Sequence, residues 1–113
     1  MKLQFLYHPV PNAVDAARFY REQFGWTELW REKDMTIGMK MPGTDVVLML
    51  DQDDGELTAG GIFEVPSVDD FYREKKHVLQ FEGAPTDIPG GRYAQFRDPA
   101  GNVVRILDST KEQ

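Results

Sequence analysis

Cysteine is absent from this 113-residue chain, which excludes disulfides, thiolate nucleophiles and cysteine-ligated metals together. Histidine is scarce: His8 and His77 are the two present, so an imidazole-rich metal centre has little to draw on. No segment approaches the roughly 20 consecutive apolar residues of a membrane-spanning helix. The opening Met1-Lys2-Leu3-Gln4-Phe5 meets charge and turn signals too soon for an export signal, and the cytoplasm is the expected location. Basic residues are in deficit, 13 Lys and Arg against 19 Asp and Glu, for a formal charge of -6. With the acids scattered and no concentrated cationic footprint, neither nucleic acid nor an anionic membrane is an expected partner. Glycine pairs occur at Gly60-Gly61 and Gly90-Gly91, yet neither has the spacing to a helix start, or the Lys-Ser/Thr, of a phosphate loop. No Ser-His-Asp order stands in a recognisable context. The adjacent carboxylates Asp53-Asp54 and Asp69-Asp70 point in different directions within polar or capping stretches, so no acid-base pair is legible.

What is present reads as short strands and two helices. Leu3, Phe5 and Tyr7 alternate with Lys2, Gln4, Leu6 and His8, predicting a strand over 2–8 that ends at Pro9 and Pro11. Asn12 is placed to cap a helix, Asp15 suits its first turn, and Ala16, Phe19, Tyr20 and Phe24 form one helical face before Gly25 stops it. Strands are predicted over 26–31, 36–41 and 45–50, with Pro42-Gly43 turning between the last two, and 51–56 as a polar connector. The pattern then repeats. A strand over 61–65 ends at Pro66, Ser67 and Asp70 open a second helix through Val68, Phe71, Tyr72 and Lys75, and strands follow over 78–82, 92–97 and 102–107. Residues 85–91 are predicted to be loop, and Asp98-Pro99-Ala100-Gly101-Asn102 a tight turn in which Asp98 accepts local backbone hydrogen bonds.

Phe19-Tyr20-Arg21-Glu22 recurs as Phe71-Tyr72-Arg73-Glu74 at the matching place in the second helix, each after a Val-Asp pair. A tandem repeat explains this better than chance. The expected fold is α+β: a single domain over 1–113 made of two tandem βαβββ modules, 1–52 and 60–110.

With its proline-bounded first strand, the Phe19-Tyr20-Arg21-Glu22-Gln23-Phe24-Gly25-Trp26 segment and the Asp98-Pro99-Ala100-Gly101-Asn102 turn, the chain resembles the vicinal oxygen chelate superfamily. This group includes glyoxalase I, extradiol dioxygenases, and bleomycin and fosfomycin resistance proteins. The resemblance implies mixed sheets curled around a cleft, a homodimer, and in metal-dependent relatives four cleft-facing ligands. Carried over by position, those four places fall on Phe5, about Met49, Gly61 and Arg105. Phe and Gly donate nothing, Met is a weak donor and Arg repels a cation, so no metal and no cofactor is expected.

The expected site is instead an organic ligand pocket lined by Phe5, Tyr7 and Met49, with Arg105 directed at an anionic group. Trp30, Met39, Phe63, Tyr93 and Gln95 are further wall or rim positions. Against this stands a filled cleft, with Phe5, Met49 and Phe63 as core and Arg105 paired to a nearby acid. Three functions stay open: a metal-independent small-molecule-binding protein; a lyase, isomerase or dioxygenase with a displaced metal site drawing on His8, Glu22, Glu28, Glu56, Glu64 or Glu82; and a structural protein-interaction module. Whether the protein is an enzyme is undecided at this level.

Overall fold

In the computed structural model, which describes residues 1–53 and 55–112, both helices begin and end where their sequences say they should. Helix α1 (Ala13–Phe24) is capped by Asn12, whose side chain accepts from the Asp15 amide at 2.8 Å, and stops at Gly25 with a left-handed φ of 71°. That backbone state is cheap only for glycine. Helix α2 (Val68–Lys75) is capped by Ser67, which accepts from the Asp70 amide at 3.1 Å. No helix among the described residues is long and apolar enough to cross a membrane.

Around them run β1 (Lys2–Val10), β2 (Thr27–Glu32), β3 (Thr36–Lys40), β4 (Val47–Gln52), β5 (Gly60–Glu64), β6 (Gln80–Phe81), β7 (Thr86–Ile88), β8 (Gly91–Arg97) and β9 (Val103–Leu107). The element order is βαβββ followed by the same order with one extra short strand, β7, so the fold is α+β with mixed sheet. Contacts group Gln4–Gly60 into one compact unit, and Met1–Leu3 with the chain from Gly61 onwards into another. We call these the N-terminal and C-terminal modules.

In the N-terminal module the strand order is β2-β3-β4-β1. Strand β1 runs parallel to β4, and the other neighbours are antiparallel. Ile37, Met39, Leu48 and Leu50 project to the helix side and, with Ala13 and Ala17 of α1, form a fully or almost fully buried core. Each large side chain withdrawn from water there contributes about 1.5–3 kcal/mol. In the C-terminal module the order is β5-β9-β8-β6, with β7 pairing on β8. Its core is Val65, Val68, Ala94, Phe96 and Ile106.

Three departures from the sequence expectations have physical causes. Strand β1 runs through Pro9 to Val10 instead of ending at His8. The Val10 carbonyl accepts from the Asp53 amide on the β4 side, so by alternation the missing Pro9 donor falls on the side turned away from β4 and costs that ladder nothing. Segment 85–91, expected as loop, contains β7, held by pairings such as Thr86 with Tyr93 and Ile88 with Gly91. Between Glu28 and Trp30 the register of β2 against β3 shifts by a bulge. Simple alternation would put Trp26 and Trp30 on one face, but the bulge separates them: Trp26 packs on the core and Trp30 turns to the other side. The carboxylate pair Asp53-Asp54 falls partly outside the described residues, since Asp54 is not among them.

Each module joins its helix to its last strand in the same way. The Ala13 amide donates to Gln52 Oε1 at 3.0 Å, and the Val68 amide to Asp108 Oδ2 at 2.7 Å. Asp108, 3 % exposed, also accepts from the Arg92 amide at 2.9 Å and from the Thr110 hydroxyl at 2.8 Å. Burial pushes its carboxyl up, but the Val68, Thr110 and Arg92 donors outweigh that and hold it below the usual carboxylate range.

Candidate functional site

Each sheet has a helix side and a far face, and the chemistry-bearing residues collect on the far faces. In the N-terminal module one cross-strand row runs Tyr7–Met49–Gly38–Trp30. Phe5 lies two residues before Tyr7 on the same face, and its ring meets that of Trp30 edge-on at 6.3 Å and 83°. The next row holds Asp51 opposite Thr36. Tyr7, 6 % exposed, donates its hydroxyl to Asp51 Oδ2 at 2.6 Å, while Thr36 donates to Oδ1 at 2.7 Å. Four of the expected lining residues, Phe5, Tyr7, Trp30 and Met49, therefore share one face.

Met39 does not join them. It pairs with Leu48 one residue out of phase with Gly38 and is wholly buried in the core against α1. Phe63 is likewise on the helix side, opposite Ile106 and packed against the second core. Both fill cores because strand alternation, fixed by pairing, assigns them there.

On the far face of the C-terminal module, Gln95 pairs with Arg105, and Tyr93 lies two residues before Gln95. A polar chain runs across them. The Tyr93 hydroxyl donates to Gln95 Oε1 at 2.9 Å, Gln95 Nε2 donates to Glu82 Oε2 at 2.6 Å, and Arg97 pairs with the other Glu82 oxygen. Arg105 is 3 % exposed and acts on two of these groups. Burial pushes the Tyr93 phenol up, partly offset by the charge of Arg105 and its hydrogen bond to the phenol oxygen. The Gln95 hydrogen bond, with the Arg97 and Arg105 charges behind it, holds the Glu82 carboxyl below its ordinary value.

The sequence placement of a metal-ligand position on Gly61 needs one correction. Ile62 is the residue opposite Arg105, so Gly60 and Ile62 share the Arg105 face, whereas Gly61 faces Leu3 and Phe63. Either glycine lacks a donor, so the chemical conclusion is unchanged. The residues present do not fit a metal of the usual kind: Phe5, Met49, Gly60 and Arg105 supply no hard donor, and no group of three His, Asp or Glu side chains that could hold an ion occurs among the described residues. His8 pairs with Leu50 on the helix side, away from Phe5. Asp98 is a turn residue, its carboxylate accepting from the Ala100 and Asn102 amides at 3.0 and 2.9 Å.

Sequence reasoning passed over Asp51, Thr36 and Gly38. The signal for Asp51 was the continued alternation Val47, Met49, Asp51, which carries β4 one turn of the pleat beyond the apolar run. Nothing local marks Thr36 or Gly38, whose roles depend on neighbours across the sheet.

Two tandem βαβββ modules, each a mixed sheet with one helix, define a duplicated α+β class of fold. The chain belongs to the Glyoxalase/Bleomycin resistance protein/Dioxygenase superfamily, matching it over residues 3–106. Among solved structures it is similar to one described as an NAD-dependent benzaldehyde dehydrogenase from Legionella pneumophila, at 18% identity and TM-score 0.75 over 93% of this chain and 97% of that one. It is also similar to methylmalonyl-CoA epimerase from Mycobacterium tuberculosis, at 14% identity and TM-score 0.67 over 95% and 87%. A variant of the Streptomyces coelicolor epimerase bound to 2-nitronate-propionyl-CoA gives 13% identity and TM-score 0.73 over 96% and 97%. These likenesses establish the fold. No curated protein sequence matches the chain.

Proposed function

We propose that this protein binds an organic small molecule bearing an anionic group, without a metal, and that Arg105 reads the charge. The observation that carries this reading is a guanidinium 3 % exposed on the far face of β9, at a position where metal-dependent relatives are expected to hold a ligand. Arginine there reverses the sign of the site, from one that holds a cation to one that attracts an anion. Tyr93 and Gln95 complete a polar wall whose donor directions are fixed by the Glu82 chain.

Calorimetric titration with a panel of aryl carboxylates, and with methylmalonyl-CoA, the ligand named for one structural neighbour, tests the reading. Saturable binding is expected for at least one carboxylate. Arg105→Met should weaken it about 10- to 100-fold, the value of one charge-assisted hydrogen bond, with the circular dichroism unchanged, because an apolar side chain of similar length fills the buried space. Unchanged affinity overturns the role of Arg105. Near-stoichiometric nickel, zinc, iron or manganese in protein purified without chelator overturns the metal-free part.

A further inference from the structure

The far face of the N-terminal module carries Phe5, Tyr7, Trp30 and Met49 of the expected ligand pocket, and its chemistry extends the proposed small-molecule reading, on which this inference rests, to groups other than Arg105. We infer that Trp30, Gly38 and Asp51 form a stacking platform for a planar ring whose edge donates a hydrogen bond to the Asp51 carboxylate.

The platform begins with a missing side chain. A Cβ on Gly38 would lie 2.3 Å from Trp30 Cε2 and 2.6 Å from both Cζ2 and Nε1. Cζ2 and Nε1 are the two atoms bonded to Cε2 on the outer edge of the ring. A point approaching in the ring plane from that edge would be nearer to them than to Cε2; one that is farther from both stands above the plane. The indole therefore lies with its face on the Gly38 backbone. Glycine inside a strand weakens it and marks a close approach, and here the approaching group is a half-buried indole whose opposite face is directed away from the sheet. Phe5, set edge-on to that ring, fixes its tilt.

Asp51 supplies the polar edge. On β4, opposite Thr36, it is the diagonal cross-strand neighbour of Gly38, about 7–8 Å away, the width of a fused bicyclic ring. The Tyr7 and Thr36 hydroxyls take one lone pair on each carboxylate oxygen. That orients the group and leaves further acceptor capacity on both oxygens. The charges on this face agree with the orientation. Glu32 shares the Asp51 row, while the cation Lys40 is two residues beyond Gly38 at the other end. A ring lying on Trp30 meets an acceptor at one end only, and its hydrogen-bond donor belongs there. The ligand class is a planar heteroaromatic with an exocyclic N–H donor.

The test compares 2-aminobenzimidazole with benzothiazole, a ring system of similar shape that lacks the donor, by calorimetry on the intact protein. The amine is expected to bind saturably and at least tenfold more tightly than benzothiazole. Asp51→Asn should remove that difference; the hydroxyls of Tyr7 and Thr36 can donate or accept, so the substitution is locally tolerated. Gly38→Ala should lift the indole and weaken both probes, and should shift Trp30 emission when Trp26→Phe isolates that signal. Failure of the amine to bind, equal binding of the two probes to the unaltered protein, or unchanged preference in Asp51→Asn each overturns the inference. The two-probe comparison needs no variant, so a misfolded substitution cannot rescue it. Carboxylate binding at Arg105, titrated in parallel, stands or falls separately.

Discussion

Removing the Asp108 carboxylate should cost more stability than removing any other single acid described here. Asp108→Ala leaves three amides without partners, those of Val68, Arg92 and Thr110, now held at 2.7, 2.9 and 3.2 Å. Val68 is wholly buried and heads α2, so water cannot replace the lost acceptor there. Arg92 is partly exposed and recovers some of its loss, and the exposed Thr110 amide takes water in place of the carboxylate and adds little. An orphaned buried donor costs about 1–3 kcal/mol, and taking Val68 in the upper half of that range and Arg92 near the bottom gives about 3 kcal/mol. Domains of this size hold about 5–15 kcal/mol in total. At about 3–5 °C per kcal/mol for this length, the midpoint of thermal unfolding should fall by about 10–15 °C. Urea unfolding followed by circular dichroism gives the free energy directly, and Asp108→Asn, which keeps one acceptor oxygen, should lose less than half as much. A loss below about 1 kcal/mol for Asp108→Ala refutes the claim that the carboxylate satisfies these buried donors.

The same joint makes two further predictions. Gly91→Ala should destabilise by several kcal/mol in the same assay, because the new Cβ would sit 2.0 Å from the Asp108 carbonyl oxygen and 2.6 Å from Oδ1, and backbone cannot yield as a side-chain tip can. Stability should also fall on acidification. Asp98 is held below its ordinary value chiefly by Asn102, and Asp108 by its backbone donors against the cost of burial. A depressed folded pKa contributes stability that is fully present above the unfolded value near 4 and is lost as pH falls through the folded one. Urea midpoints measured from about pH 6 to pH 3 should therefore decline below about pH 4, less steeply in Asp108→Asn.

Much of this fold was legible because its signals are local. Asn12, Gly25 and Ser67 act on amides within a few residues of themselves, and the Phe-Tyr-Arg-Glu repeat lies in two helices of the same order. Asp98 behaved as a turn residue for the same reason. The site was less legible, since a face is a property of pairing. Met39 and Phe63 resemble Met49 and Phe5 in composition, and only the register that sets Gly38 beside Met49, and Ile62 beside Arg105, sorts core from far face. The bulge at Glu28/Trp30 reverses the side of one tryptophan with no glycine or proline to announce it. Strand β7 has three residues and depends on β8, so its own sequence need not favour extension.

The helix-to-last-strand joints make each module a loop latched at both ends. Gln52 reaches back 39 residues to Ala13, and Asp108 reaches back 40 to Val68. Without the latch, a chain of this kind could peel strand by strand from its end. With it, releasing the final strand uncaps the helix that opened the module, and the disturbance returns to the opposite side of the core at once. Partial unravelling is thereby coupled to loss of the whole βαβββ unit, which favours modules that are either complete or absent. The two latches are not chemically alike: one is a neutral amide, indifferent to acid, and the other a carboxylate. Duplication has supplied two copies of one mechanical part, of which only the second can be loosened by protons.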